Sequence, residues 1–105
     1  MQSKENGTAR ETLHGLLIVQ EDASNHARMA AGKRMVKFAV IAETAYRKWT
    51  KLTARLHQVE DDFHFGNPRI FLGEYQRKLV ELQLEAIAEI KKLSNAIERA
   101  NKLAW

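Results

Sequence analysis

Residues 31–63 read AGKRMVKFAVIAETAYRKWTKLTARLHQVEDDF, and this stretch decides the fold. Ala31, Met35, Phe38, Ala42, Ala45, Trp49, Leu52, Leu56, Val59 and Phe63 follow one another at alternating steps of four and three. That is the 3.5-residue period of helices packed along a supercoiled seam. The seam predicts a helix over 23–64, with small residues in its first half and large ones in its second. At about 1.5 Å per residue such a helix approaches ~60 Å, which demands a second long helix to cover it.

That partner lies downstream. Phe65-Gly66-Asn67-Pro68 reads as stop, turn and restart, because proline suits a first helical position. From 68 to 103 a second helix is expected, with Leu72, Tyr75, Leu79, Leu82, Ala86, Ile90, Leu93, Ile97 and Ala100 on one stripe. Glu74–Lys78, Arg77–Glu81 and Glu98–Lys102 are opposite charges four residues apart, the mark of a solvated face. Upstream, residues 1–7 are polar and expected to fray. Thr8-Ala-Arg-Glu11 has the form of a capping box, and a shorter helix over 8–21 follows with Leu13, Leu16 and Leu17 toward the core. Residues 16–19, Leu-Leu-Ile-Val, also suit a buried strand, but a strand without a partner is the poorer reading. Weaker breaks stand at Gly15, at 22–25 and at Gly32. The expected fold is all-α: a long helical hairpin plus a shorter N-terminal helix, in one domain of 105 residues.

Composition narrows the class further. A 45% hydrophobic and 29% charged chain suits neither a disordered tail nor a membrane protein, and no apolar run approaches a bilayer span. The first residues lack the apolar segment of a secretory signal, so the cytoplasm is the expected compartment. The absence of cysteine removes disulfides, thiolate nucleophiles and cysteine metal sites. No glycine-rich phosphate loop or cofactor fingerprint is present. Ser3, Ser24 and Ser94 have no histidine and acid arranged around them, so no enzyme and no cofactor is expected. His57-x-x-Glu60-Asp61-x-x-His64 places two imidazoles and a carboxylate on one helical face, as metal ligation requires. Its position at a helix end, where polar residues gather and His64 answers the helix dipole, favours the plainer reading.

Both long helices carry more apolar surface than one seam needs. Met29, Val36 and Val40 form a second line, with Ile41 also off the main seam, and Val80, Leu84 and Ile87 form another. Left open to water, such lines mark an interface, and self-association into a dimeric helical bundle is the economical answer. Charge is equally uneven. Residues 26–57 hold eight positive groups and one negative, whereas residues 1–25 hold two and four. Lys33, Lys37, Lys48, Lys51 and Arg55 fall on one side of the helix. A basic face of this kind suits nucleic-acid phosphates or an acidic protein partner. The stripe lacks base-reading Asn or Gln, and no helix-turn-helix, zinc-finger or ribonucleoprotein motif accompanies it.

At residues 35–42 and 80–87, two apolar helix faces with a basic margin, the chain resembles the small all-helical anti-activators of bacterial quorum sensing. Phage-encoded inhibitors and secretion chaperones share the same outline. The resemblance implies a dimer that binds a LuxR-type receptor and blocks its dimerisation or its hold on DNA. On the residues themselves, the expected contact set is Val36, Val40, Ile41, Val80, Leu84 and Ile87, with Lys37, Arg47 and Lys48 as a charged rim. The expected function is therefore inhibition of a protein partner by steric occupation; the alternative is a nucleic-acid-binding regulator using the basic face.

Overall fold

Three helices pair with one another in every combination and share one apolar core. The computed structural model describes residues 4–64 and 70–103, with side chains from residue 8 onward. Helix α1 spans Lys4–Met29, α2 Gly32–His64 and α3 Leu72–Asn101. No strand occurs among the described residues, and no helix there is long and apolar enough to cross a membrane. The long dimension is 56 Å, close to the ~50 Å expected of α2 at 33 residues.

The seam of α2 does most of what its period predicts. Phe38, Ala42, Ala45, Leu52 and Leu56 are buried, and Trp49, Val59 and Phe63 pack against them half-buried. Its first turn does not: Met35 is exposed and Ala31 precedes the helix. On α3, Tyr75, Leu79, Leu82, Ala86, Leu93, Ile97 and Ala100 are buried while Leu72 is exposed. Fully burying a side chain such as Phe38 or Leu79 contributes about 1.5–3 kcal/mol. Each helix thus adds a line of such residues to a common interior.

The N-terminal helix corrects the sequence reading most. Expected over 8–21, it runs to Met29 and begins at Lys4, so Thr8 stands inside it rather than at a cap. The Thr8 carbonyl accepts the Thr12 hydroxyl at 2.8 Å, which is interior helix bonding, not a capping box. The polar stretch at 22–25 does not break the helix because its groups are satisfied locally. Gln20 donates to the Ser24 hydroxyl at 3.1 Å, Arg28 donates to Asn25, and His26 lies 2.8 Å from the Asp22 carbonyl. Ala23, fully buried, holds that segment on the core. The chain reverses instead at 30–31, where Gly32 takes φ +63°, a left-handed conformation open chiefly to glycine. In consequence α2 starts at 32 rather than 23, and Met29 belongs to α1. Residues 16–19 are helical, with Leu16 fully buried.

Gly15, a candidate break, is a point of close approach. A Cβ there would sit 2.8 Å from Ile90 Cδ1, so the missing side chain lets α1 lie directly on α3. The expected turn at Gly66-Asn67 lies outside the described residues, and α3 begins at 72 rather than 68. Contacts between α2 and α3 run in opposite senses along the chain: Arg55 meets Glu85, Lys48 meets Glu89, and Ile41 shares a groove with Ala96 and Ala100.

Candidate functional site

The two ends of the bundle treat their polar groups differently. At the end carrying the C-terminus of α2, several charges and rings are paired inside the molecule, while Phe71 and Leu72 stand exposed. Arg10 of α1 reaches across to Glu60, placing one nitrogen 2.6 and 2.7 Å from the two carboxylate oxygens. Glu60 is only 9% exposed, so this contact neutralises a carboxylate held largely away from water. Nearby, Phe63 and Tyr75 stack with centroids 4.2 Å apart, and His64 Nε2 lies 3.2 Å from the Tyr75 hydroxyl. Burial pushes the Tyr75 phenol up, and the Glu60 carboxylate adds to that.

These contacts disperse the histidine and acid constellation. Glu60 turns inward to Arg10, His64 turns to Tyr75, and His57 borders a different cleft with Leu13, Trp49 and Thr53. Among the described residues no group of three His, Cys, Asp or Glu is placed to hold a metal ion.

The basic stripe on α2 is divided. Arg55 donates to both Glu85 oxygens, at 2.7 and 3.0 Å, and Lys48 lies 3.7 Å from Glu89. The hydrogen bond to Arg55 holds the Glu85 carboxyl below its usual range and raises the guanidinium in turn. These two cations therefore tie α2 to α3. Lys33, Lys37 and Lys51 have no carboxylate partner among the described residues. On α3, Glu74–Lys78 and Arg77–Glu81 form as the spacing predicts, while Glu98–Lys102 does not close.

At the opposite end, where α2 begins, the apolar residues face outward. Val36 is 60% exposed and Val40 58%; with Met35 and Ala39 they line a shallow depression bordered by Glu43, Thr44 and Arg47. At 3.6 residues per turn Val40 stands roughly 200° from Phe38, the side chain that α2 sends into the core. In this bundle Phe38 is buried and Val40 is not. Arg47, expected as free rim charge, is bonded to Glu43 at 3.0 Å. Ile41, expected as an exposed anchor, is a core residue at 8% exposure, because it points along the α2–α3 junction. Lys48 leaves the expected rim for Glu89. Val80, Leu84 and Ile87 are exposed on α3, and none of them lines the depressions around Val40. The expected contact set is thus split between two faces.

A second depression, of about 390 Å³, adjoins Val40 between α2 and α3. Val40, Ile41, Ala96, Ala100 and Leu103 form its floor, and Lys37 and Arg99 stand on its two walls. Neither cation has an acidic partner among the described residues. Ala96, Arg99 and Leu103 were outside the sequence expectation. Helical period marks which residues leave the core, but not which of them meet across two helices.

Comparison with family models, curated proteins and solved structures found no match to the chain.

Proposed function

We propose that this chain is a small non-enzymatic regulator that binds and inhibits a protein partner through the Val40-centred end of the bundle. The observation that carries this reading is the outward placement of Val36 and Val40 beside Lys33 and Lys37, which have no carboxylate partner among the described residues. An apolar centre with a charged border is the usual anatomy of a protein-docking surface. The resemblance to quorum-sensing anti-activators supplies the partner class, a transcriptional activator whose dimerisation or DNA-binding surface is occupied.

Self-association belongs to the same proposal. In it, α2 and α3 form a hairpin backed by α1, and two such chains associate through Val80, Leu84 and Ile87. The neighbouring Arg77 is already paired with Glu81 and Glu74. The α2 face, bordered by Lys33 and Lys37 with no carboxylate partner among the described residues, would set like charges against each other.

Nucleic-acid binding is the second reading, supported by Lys33, Lys37 and Lys51. It is weakened by the commitment of Lys48 and Arg55 to α3, since each lost phosphate contact lowers affinity and salt sensitivity. Affinity capture from the source cell, before and after nuclease digestion, separates the two. A protein partner retained after nuclease and lost with Val40→Asp, at unchanged helicity by circular dichroism, is the expected result. A loss of at least ~30-fold in affinity, about 2 kcal/mol, is the scale of a truncated anchor. Capture that vanishes with nuclease, or that Val40→Asp leaves intact, overturns the proposal.

A further inference from the structure

We infer that the depression between α2 and α3 receives an acidic amphipathic helix from the partner, which packs there as a fourth helix of the bundle. This deepens the proposed function and rests on it, because it names the chemistry of the element that docks.

No residue of α1 lines the depression, so α1 covers other parts of α2 and α3 and leaves this junction open. Further along the same junction, Lys48–Glu89 and Arg55–Glu85 bridge the two helices. The opening is therefore confined to the start of α2 and the end of α3. Two adjacent helices with a furrow between them present the surface against which another helix packs, its apolar side chains entering at three- and four-residue spacing. The floor suits this: Val40, Ile41, Ala96 and Leu103 offer only carbon to an incoming side chain. At about 390 Å³ the space falls within the roughly 300–1,000 Å³ of ordinary binding clefts.

Charge then selects the occupant. Lys37 and Arg99 flank the apolar floor, and neither has a carboxylate partner among the described residues. An incoming helix with Glu or Asp beside its apolar stripe satisfies both. A second copy docked furrow to furrow about a two-fold axis would set Lys37 and Arg99 against the same pair of cations, a like-charge arrangement. A lipid surface is flat and does not enter a furrow, and a phosphate backbone has no use for the aliphatic floor.

The test uses the whole chain and two synthetic helical peptides with the same leucine stripe, one with glutamates on its flanks and one with lysines. Fluorescence anisotropy is expected to show saturable binding of the acidic peptide and at least tenfold weaker binding of the basic one. The double variant Lys37→Glu/Arg99→Glu changes two exposed side chains and should reverse that preference. Ala96→Leu, which fills the floor without altering charge, should weaken both peptides. Equal binding of the two peptides overturns the inference, as does an acidic peptide indifferent to the double variant. So does sedimentation showing that Ala96→Leu converts a dimer to a monomer, or saturable binding to phosphatidylglycerol vesicles that the double variant abolishes. Failure here is separable from failure of the functional reading. If the captured partner depends on Val40 but not on Arg99, the furrow is not the docking site and the inhibitor reading stands. If the acidic peptide docks as described and capture ignores Val40, the furrow stands and the inhibitor reading falls.

Discussion

The two ends of this bundle are made of similar residues and put them to opposite uses. At one end Arg10 and Glu60 meet in an ion pair, Tyr75 and Phe63 stack, and Arg55 binds Glu85. At the other, Lys33 and Lys37 lack a described partner, and Val36 and Val40 face solvent. The difference shows that residue type does not tell a binding surface from a structural contact. What tells them apart is whether another element of the same chain lies within reach.

Truncation of an aromatic should expose the contrast most strongly. Tyr75→Ala removes a buried ring stacked on Phe63 and the hydroxyl beside His64. Urea denaturation is expected to show a loss of about 3 kcal/mol or more. Val36→Ala, at an exposed position, should stay within about 0.5 kcal/mol of the parent by the same measurement. Comparable losses from the two would erase the distinction between the ends.

Charge removal gives a smaller effect of the same kind. Arg10→Met leaves Glu60 with its carboxylate largely buried and its cation gone, at a cost of about 2 kcal/mol. Lys37→Met strands no acid among the described residues, so thermal stability should hold while partner affinity falls. A Lys37→Met protein that melts as early as Arg10→Met would mean that Lys37 has an internal structural role after all.

The smallest effect concerns acid. Because the folded state holds the Glu85 carboxyl below its ordinary range, its contribution is present above the usual glutamate value of about 4.3 and is lost as pH falls through the lowered one. Both partners are about half exposed, which limits the contribution to under ~1 kcal/mol. Melting curves between pH 6 and pH 3 should fall slightly less for Glu85→Gln than for the parent. Parallel curves would show that this pair adds nothing to the junction between α2 and α3.

Much of the fold was legible because a long helix advertises itself. The four-three spacing from Phe38 to Phe63 and the stripe from Tyr75 to Ala100 each repeat over many turns, and repetition makes period a strong signal. The end of α1 was not legible. Asp22, Ser24 and Asn25 look like a break, yet they bond within the helix, and Ala23 anchors it. The candidate site was half legible. Val36 and Val40 are marked as outward by their angle from Phe38, whereas Ile41, only 100° or so further round from Val40, is claimed by the neighbouring helix.

Sequence alone settled the helical class, the positions that must leave each core stripe, and the concentration of positive charge in the middle of the chain. Tertiary structure alone decided which of those positions are covered. It sends Ile41 inward, joins Lys48 and Arg55 to acids some 30 to 41 residues away, and sets Ala96 and Leu103 beside Val40. The reason is that helix periodicity is a property of neighbours along one cylinder, while a furrow or an ion pair between helices depends on how two cylinders are turned toward each other.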